Sequence, residues 1–447
     1  MKFSARLLRI SATTIALLVT GAAILAIVLF NPRLTKYVES EAFRAELEKQ
    51  TAKGLHFEGG HYAPVRRTGF LTAEAESFQA KDGRKALRSL EAHGIAATFN
   101  PWGVFLRRWQ LDRLHIEGGE VGIQTYEPKP EPSPAKPWFH VFLPQRVYLK
   151  RIESEPADVT WRIRDQRGGF FGTRLLITPH RRDFNYQATG GTLKMPIIPD
   201  LRLRDTHLLI TKTLLTLYNL DLESEGDGNG HIHAEGTAGT RDERSVDFKI
   251  DFAHLPIAEW MPATWREHVS GEASGKIAWR GKDQKLENAE GEASLRVQGG
   301  HLVQLPFLEK IAEVTGEKTL QRLTLTDCSA ELTWRFPKVE VKKLAIEAED
   351  KFRAEGTIRI DRQELGGAIE FGVAPSLLSW LPHPEEVFPR KHDGYLWTTV
   401  HLSGTLGAPR QDLSPRIIAA IKDDSGAALG LFFRQLGVWL KGAFGSD

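Results

Sequence analysis

Cysteine is almost missing: Cys328 is the only one in 447 residues. That excludes an intramolecular disulfide and any cysteine-based zinc cluster. Cys328 lies in the alternating segment 323–334 and is expected to be a small buried residue. No lipobox-like cysteine follows the N-terminal apolar run, so a lipid anchor there has no support. Charge of one sign is missing too, with Lys and Arg numbering 59 against 57 for Asp and Glu, a formal net charge of +2. The basic residues are scattered along the chain, so nucleic acid finds no basic field and a cationic partner no acidic one.

Catalytic patterns are equally scarce. The chain has no His-Glu-x-x-His, no Gly-x-Ser-x-Gly, no Walker loop and no cysteine pair, and no metal or cofactor is expected. His231 and His233 share a face of a strand but lack a third ligand, and read as surface or turn-side histidines. Asp227-Gly-Asn229-Gly-His231 resembles the start of an EF-hand loop without its sixth-position glycine or flanking helices, and reads as a hairpin turn. Glu290 and Glu292 have the types of an acid–base pair, although carboxylates on the wet face of a strand explain them as well. No enzyme class emerges.

What is present is ordinary globular chemistry, 41% hydrophobic and 26% charged, in a chain long enough for two or three domain-sized units. Residues 10–30 carry no charge and are long enough to span a membrane. Lys2, Arg6 and Arg9 precede them, which keeps a short leader at 1–9 on the cytoplasmic side. The competing reading, a cleaved signal peptide, fits less well, because the run is long and ends in Val28-Leu29-Phe30-Asn31-Pro32. No second run of spanning length follows. In a two-membrane bacterium the expectation is a single-pass inner-membrane protein with its bulk in the periplasm.

Beyond the anchor, Pro32 suits a helix start, and residues 33–53 read as one juxtamembrane helix stopping at Gly54. Period-2 alternation then dominates. Val246, Phe248, Ile250 and Phe252 interleave with Asp247, Lys249 and Asp251, and Ala293, Leu295 and Val297 with Ser294, Arg296 and Gln298. Leu344, Ile346 and Ala348 continue the pattern, as do Phe352 and Ala354. Such strands predict an antiparallel sheet with one apolar and one wet face, separated by turns such as Asp82-Gly83, Gly118-Gly119, Gly168-Gly169, Gly190-Gly191 and Gly299-Gly300. The five prolines within 128–137 predict an extended loop. Residues 305–315 read as a short helix, and 415–444 as a glycine-interrupted amphipathic one.

An internal repeat organises the second half. Ala234-Glu235-Gly236-Thr237 recurs as Ala354-Glu355-Gly356-Thr357. Phe252, Pro256, Trp260 and Pro262 recur as Phe371, Pro375, Trp380 and Pro382. Two copies of a strand–strand–helix–strand unit, at about 220–280 and 344–410, imply stacking along one axis. The expected divisions are 1–9 leader, 10–30 anchor, 31–54 helix, 55–127 N-terminal β unit, 128–137 loop, 138–410 repeated β domain and 411–447 C-terminal helical segment. Alternation fits both a closed sandwich and an open apolar groove; by itself it favours the sandwich, and the repeat shifts the weight toward an elongated sheet.

Several short motifs resemble the AsmA-like family of bacterial envelope proteins. They are Thr51-Ala-Lys-Gly54-Leu-His-Phe57 after the membrane helix, Gly103-Val-Phe-Leu106 through Leu114-His-Ile116-Glu-Gly-Gly-Glu-Val121, Leu305-Pro306-Phe307-Leu308 running to Thr315-Gly316, and Ser403-Gly404-Thr405-Leu406-Gly407-Ala408-Pro409. The resemblance implies a mainly β fold, an elongated and curled β-groove with a few helices, anchored in the inner membrane and linked to outer-membrane biogenesis. It brings no catalytic residues, and favours the groove over the sandwich. Phe248, Ile250, Leu295, Val297, Leu344, Ile346 and Phe352 are then the groove candidates. Phe432, Phe433, Leu436, Trp439 and Leu440 are the candidates for membrane contact, or alternatively for packing over the sheet end. The expected partners are membrane phospholipids and other envelope proteins. The main expectation is lipid handling. A scaffold that assists outer-membrane protein assembly without carrying lipid, with a closed core and polar or edge-strand docking surfaces, is the alternative, and a glycan hydrolase with two converging carboxylates a remote third.

Overall fold

A computed structural model describes residues 31–83, 87–105, 109–123, 147–163, 166–180, 183–196, 198–211, 213–226, 229–239, 245–261, 263–282, 288–303, 321–348, 350–379, 381, 383–406 and 408–422. The anchor expected at 10–30, the Pro-rich loop, the helix at 305–315 and all five C-terminal candidates, Phe432, Phe433, Leu436, Trp439 and Leu440, lie outside the described residues. Among those described, no helix is long and apolar enough to cross a membrane. The protein is mainly β and divides into two compact units, Met1–Pro196 and Ile197–Asp447.

In the first unit, residues 31–38 are helical and α1 (Glu41–Leu55) follows after a break. The single helix expected over 33–53 is therefore two pieces. Ser40 causes the interruption: its hydroxyl donates to the Tyr37 carbonyl at 2.6 Å and accepts from the Phe43 N–H at 3.3 Å. Its backbone is extended, the arrangement of a helix N-cap. The strands are β1 (His61–Tyr62), β2 (Val65–Arg67), β3 (Thr72–Ala80) and β4 (Leu87–Phe99). A short α2 (Trp102–Phe105) leads to β5 (Trp109–Ile123), β6 (Val147–Leu149), β7 (Ile152–Ile163), β8 (Gln166–His180), β9 (Asp183–Thr189) and β10 (Thr192–Met195).

Most of these strands pair antiparallel, as alternation with short turns predicts. β5 is the correction, because it runs parallel to β6 and β7, with Leu114 opposite Ile152 and Val121 opposite Val159. Tight turns can only join antiparallel neighbours, whereas parallel ones need a long crossover, and the connection at 124–146 has the length for one. The core of this unit gathers Phe43 and Ala52 of α1 with Phe57, Ala75, Phe78 and Ile95. Two outer amides are satisfied by glutamates: Tyr62 N–H donates to Glu48 at 2.9 Å and Arg67 N–H to Glu39 at 3.2 Å.

The second unit contains β11 (Ile198–Ile210), β12 (Leu214–Ser224), β13 (His231–Gly239), β14 (Val246–Pro256), α3 (Ile257–Trp260), α4 (Ala263–Arg266), β15 (Val269–Gly281) and β16 (Ala289–Val303). It continues with β17 (Arg322–Leu325), β18 (Asp327–Arg335), β19 (Lys338–Ala348), β20 (Phe352–Asp361) and β21 (Glu364–Val373). After a 3-10 turn at Pro375–Leu378 come α5 (Pro384–Val387), β22 (Arg390–His392), β23 (Tyr395–Thr405), β24 (Ala408–Gln411) and α6 (Leu413–Lys422). The strand pairings described within this unit, from β11 with β12 to β23 with β24, are antiparallel. Gly118-Gly119, Gly168-Gly169 and Gly299-Gly300, expected as turns, lie inside β5, β8 and β16 instead; at Gly119 and Gly169 the neighbouring strand's backbone comes too close for a Cβ.

Both copies of the repeat have the same order: a hairpin, a short helical piece and a third strand. In one they are β13, β14, α3 and β15, and in the other β20, β21, the 3-10 turn with α5, and β23. The registers differ slightly. Ala234 faces Ile250, but its counterpart Ala354 faces Phe371, the sequence counterpart of Phe252. The slip is two residues, an even number, so every side chain keeps its face.

Phe78 is 2% exposed and packs its ring 4.3 Å from that of Tyr62. Phe78→Ala should lower stability by roughly 3–5 kcal/mol, read as a fall in the denaturant midpoint of the full chain.

Candidate functional site: the apolar face of the second unit

Residues directly opposite in an antiparallel pair point to the same side of the sheet. Following those partners from strand to strand in the second unit gives continuous rows. One row passes through Leu208, Leu217, Gly236, Phe248, Trp279 and Gly291, and continues through Trp334, Val339, Ile360 and Leu365. The next carries Ala234, Ile250, Ile277, Ala293, Leu332, Val341, Ile358 and Leu402 (with Gly367 between the last two). A third carries Phe252, Leu295, Ala330, Leu344, Ile369 and Val400. No charged side chain interrupts these rows.

The other face is ionic. Lys249–Glu235, Lys276–Asp251, Arg280–Asp247, Arg335–Glu290, Lys343–Glu331, Arg359–Glu340 and Lys338–Asp361 are ion pairs at 2.9–3.7 Å. In every one of these pairs the two residues are direct partners in the ladder. Being exposed, each contributes less than about 1 kcal/mol. Their joint effect is on register, since a one-residue slip would break them and turn the apolar rows to water.

The seven groove candidates all lie on the apolar face. Phe248, Ile250, Leu295, Leu344, Ile346 and Phe352 are half-buried, and Val297 is 7% exposed. The residues that alternation did not single out are Ile277, Trp279, Leu332, Trp334, Val339, Val341, Ile358 and Ile369, also half-buried on that face. Part of the reason is a bulge at Lys342 and Lys343, both exposed, which puts Val341 and Leu344 on one face although they are three residues apart. The aromatic rings lie low over the sheet. A Cβ on Gly291 would sit 2.3 Å from the Trp334 ring, so glycine makes the space that ring occupies.

Short helices cover one end of the rows. α3 packs Ile257 and Trp260 against Leu255, Ala273 and Val297, with Phe252, Leu295 and Cys328 around them. In the second copy Leu378, Leu381, Val387 and Phe388 cover Val373, joined by Leu413, Ile417 and Ala420. The Phe248 and Ile250 rows lie beyond these clusters and, Ala234 apart, stay half-buried, and the Trp279 indole N–H is buried there with no hydrogen-bond partner among the described residues.

Cys328 is half-buried on this face, opposite Ile346. Burial pushes its thiol up, and the neighbouring Asp327 carboxylate adds to the rise. The polar candidates sit on the ionic side. His233 Nδ1 is 2.6 Å from Asp221, while His231 faces Glu223 and Ala253. Burial raises the Asp221 carboxyl, but hydrogen bonds from His233 and Asn219, with the His233 and Arg204 charges, bring it below its usual value. Glu290 is held by Arg335, and both Glu290 and Glu292 line a hollow of about 530 Å³ with Arg280, Lys338 and Glu340. Among the described residues no three His, Cys, Asp or Glu are grouped to hold a metal ion. Comparison with protein-family models, curated proteins and solved structures found no match.

Two measurements check this geometry. Glu331→Lys sets two lysines face to face and should lower the thermal midpoint, by an amount equivalent to roughly 0.5–1 kcal/mol. Adding Lys343→Glu should restore it. Cys328 should resist alkylation at pH 8 in the folded chain and react fully in denaturant.

Proposed function

We propose that the second unit binds the acyl chains of membrane phospholipids along its apolar face, which serves as an open groove. The observation that carries this reading is the set of half-buried apolar rows running across ten strands with an ion-paired face behind them. At about 4.8 Å per strand the longest row extends roughly 40 Å, more than an acyl chain needs. Each methylene that leaves water for such a surface contributes up to about 0.8 kcal/mol, so a modest length of chain gives useful affinity. Fully buried rows would instead be an ordinary core.

In this reading residues 10–30 anchor the chain in the inner membrane, the bulk is periplasmic, and the protein handles phospholipid for outer-membrane biogenesis without catalysing a reaction. The AsmA-like resemblance belongs to the same proposal.

The test is photo-crosslinking of the full chain in cells grown with labelled phosphate. A photoreactive residue at Ile277, Leu332 or Ile358 should give phospholipid adducts, and one at Lys276, Glu331 or Arg359 should not. Ile277→Asp should remove most of the adduct formed at Leu332. Equal labelling from both faces, or none from the apolar one, would sink the lipid reading and leave the envelope scaffold ahead.

A further inference from the structure

The outer edge of β23 is covered by strands only at its ends. β22 pairs with Tyr395, Leu396 and Trp397, and β24 with Leu402 through Thr405, which leaves Thr398–His401 with no strand partner on that side among the described residues. Side chains from the start of α6 fill the gap. The Arg416 guanidinium donates to the Thr399 carbonyl at 2.7 Å and to the Thr398 hydroxyl at 2.9 Å, while the His401 N–H donates to the Asp412 carboxylate at 2.8 Å. The same helix is held down by Leu413, Ile417 and Ala420 in the cluster around Phe388.

This strand is a hazard without such cover. Its residues, Tyr395–Thr405, include no Asp, Glu, Lys or Arg, and its Tyr, Trp, Thr and Val favour extended structure. Charge on an edge is the usual protection against pairing with another chain, and here it comes from Asp412 and Arg416 at the start of α6 and from Arg390 of β22, which donates to the Thr399 hydroxyl at 3.0 Å. The repeat indicates what the edge would accept. β15, the third strand of the first copy, is paired from Val269 to Gly281 by β16. In the second copy β22, β24 and the α6 side chains stand at the corresponding edge of β23.

We propose that Asp412 and Arg416 form an edge guard, and that its release lets β23 pair antiparallel with β23 of a second copy. The strand suits itself as a partner. With a two-fold axis at Thr399, Thr398 meets Val400 and Leu396 meets Leu402, all on the apolar face, and no like charges oppose each other. Pairing starts at Thr398–His401 and widens as the short β22 and β24 give way. It joins the apolar rows of the two copies.

The experiment uses the full chain in detergent micelles at pH 8, with protein mass measured by light scattering over a hundredfold range of concentration. Relative to wild type, Asp412→Ala/Arg416→Ala should double in mass as concentration rises, and adding Thr399→Lys should abolish the doubling. A guard variant with a native circular dichroism spectrum that keeps the wild-type mass overturns the proposal. So does a dimer indifferent to Thr399→Lys, or a wild type already paired through β23. If the double variant does not fold, Asp412→Asn serves instead. The His401 amide should exchange its hydrogen at least about tenfold faster in that variant, and unchanged exchange refutes the guard.

Discussion

In an antiparallel ladder the residue opposite a given position shares its face, and its immediate neighbours take the other. The second unit is built on this constraint. Once Glu290 is set against Arg335 and Glu340 against Arg359, Gly291 must face Trp334, Ala293 must face Leu332 and Val341 must face Ile358. The ion pairs are individually weak, yet a register that satisfies all of them is the one that gathers the apolar side chains. The seats of the short helices and the rows left half-buried follow from that alignment.

The apolar face is divided between two uses. Where α3 and its counterpart in the second copy sit, apolar residues become true core, as at Leu255 and Val387, 5% and 2% exposed. Along the Phe248 and Ile250 rows the same chemistry is left half-open, with rings lying over glycines such as Gly291. Edges receive different treatment from faces. Carboxylates from helical segments cap outer amides in each unit, Glu39 and Glu48 in the first and Asp412 in the second.

Much of this was legible from the sequence. Alternation located Phe248, Ile250, Leu295 and Val297, whose strands keep strict period 2 over the stretches concerned. It located Leu344 and Ile346 but passed over Val341, because a bulge resets the phase between them. The repeat identified the two hairpin–helix–strand modules, but not the two-residue slip between them, since register depends on turn length and neighbours. Ser40 was a readable helix cap that a continuous helical pattern concealed. The parallel pairing of β5 had no local signal, because it depends on where the chain goes after it leaves the strand.

By itself, then, the sequence determined the class of fold, the apolar and wet sides of most strands, and the internal duplication. These follow from side-chain period and composition, which act locally along the chain. Only the tertiary structure decided which strands neighbour one another, which apolar residues are covered and which stay half-open, and how the edge of β23 is closed. Those outcomes depend on contacts between residues far apart in sequence, such as Arg416 with Thr399 or Trp334 over Gly291, and no local pattern encodes them.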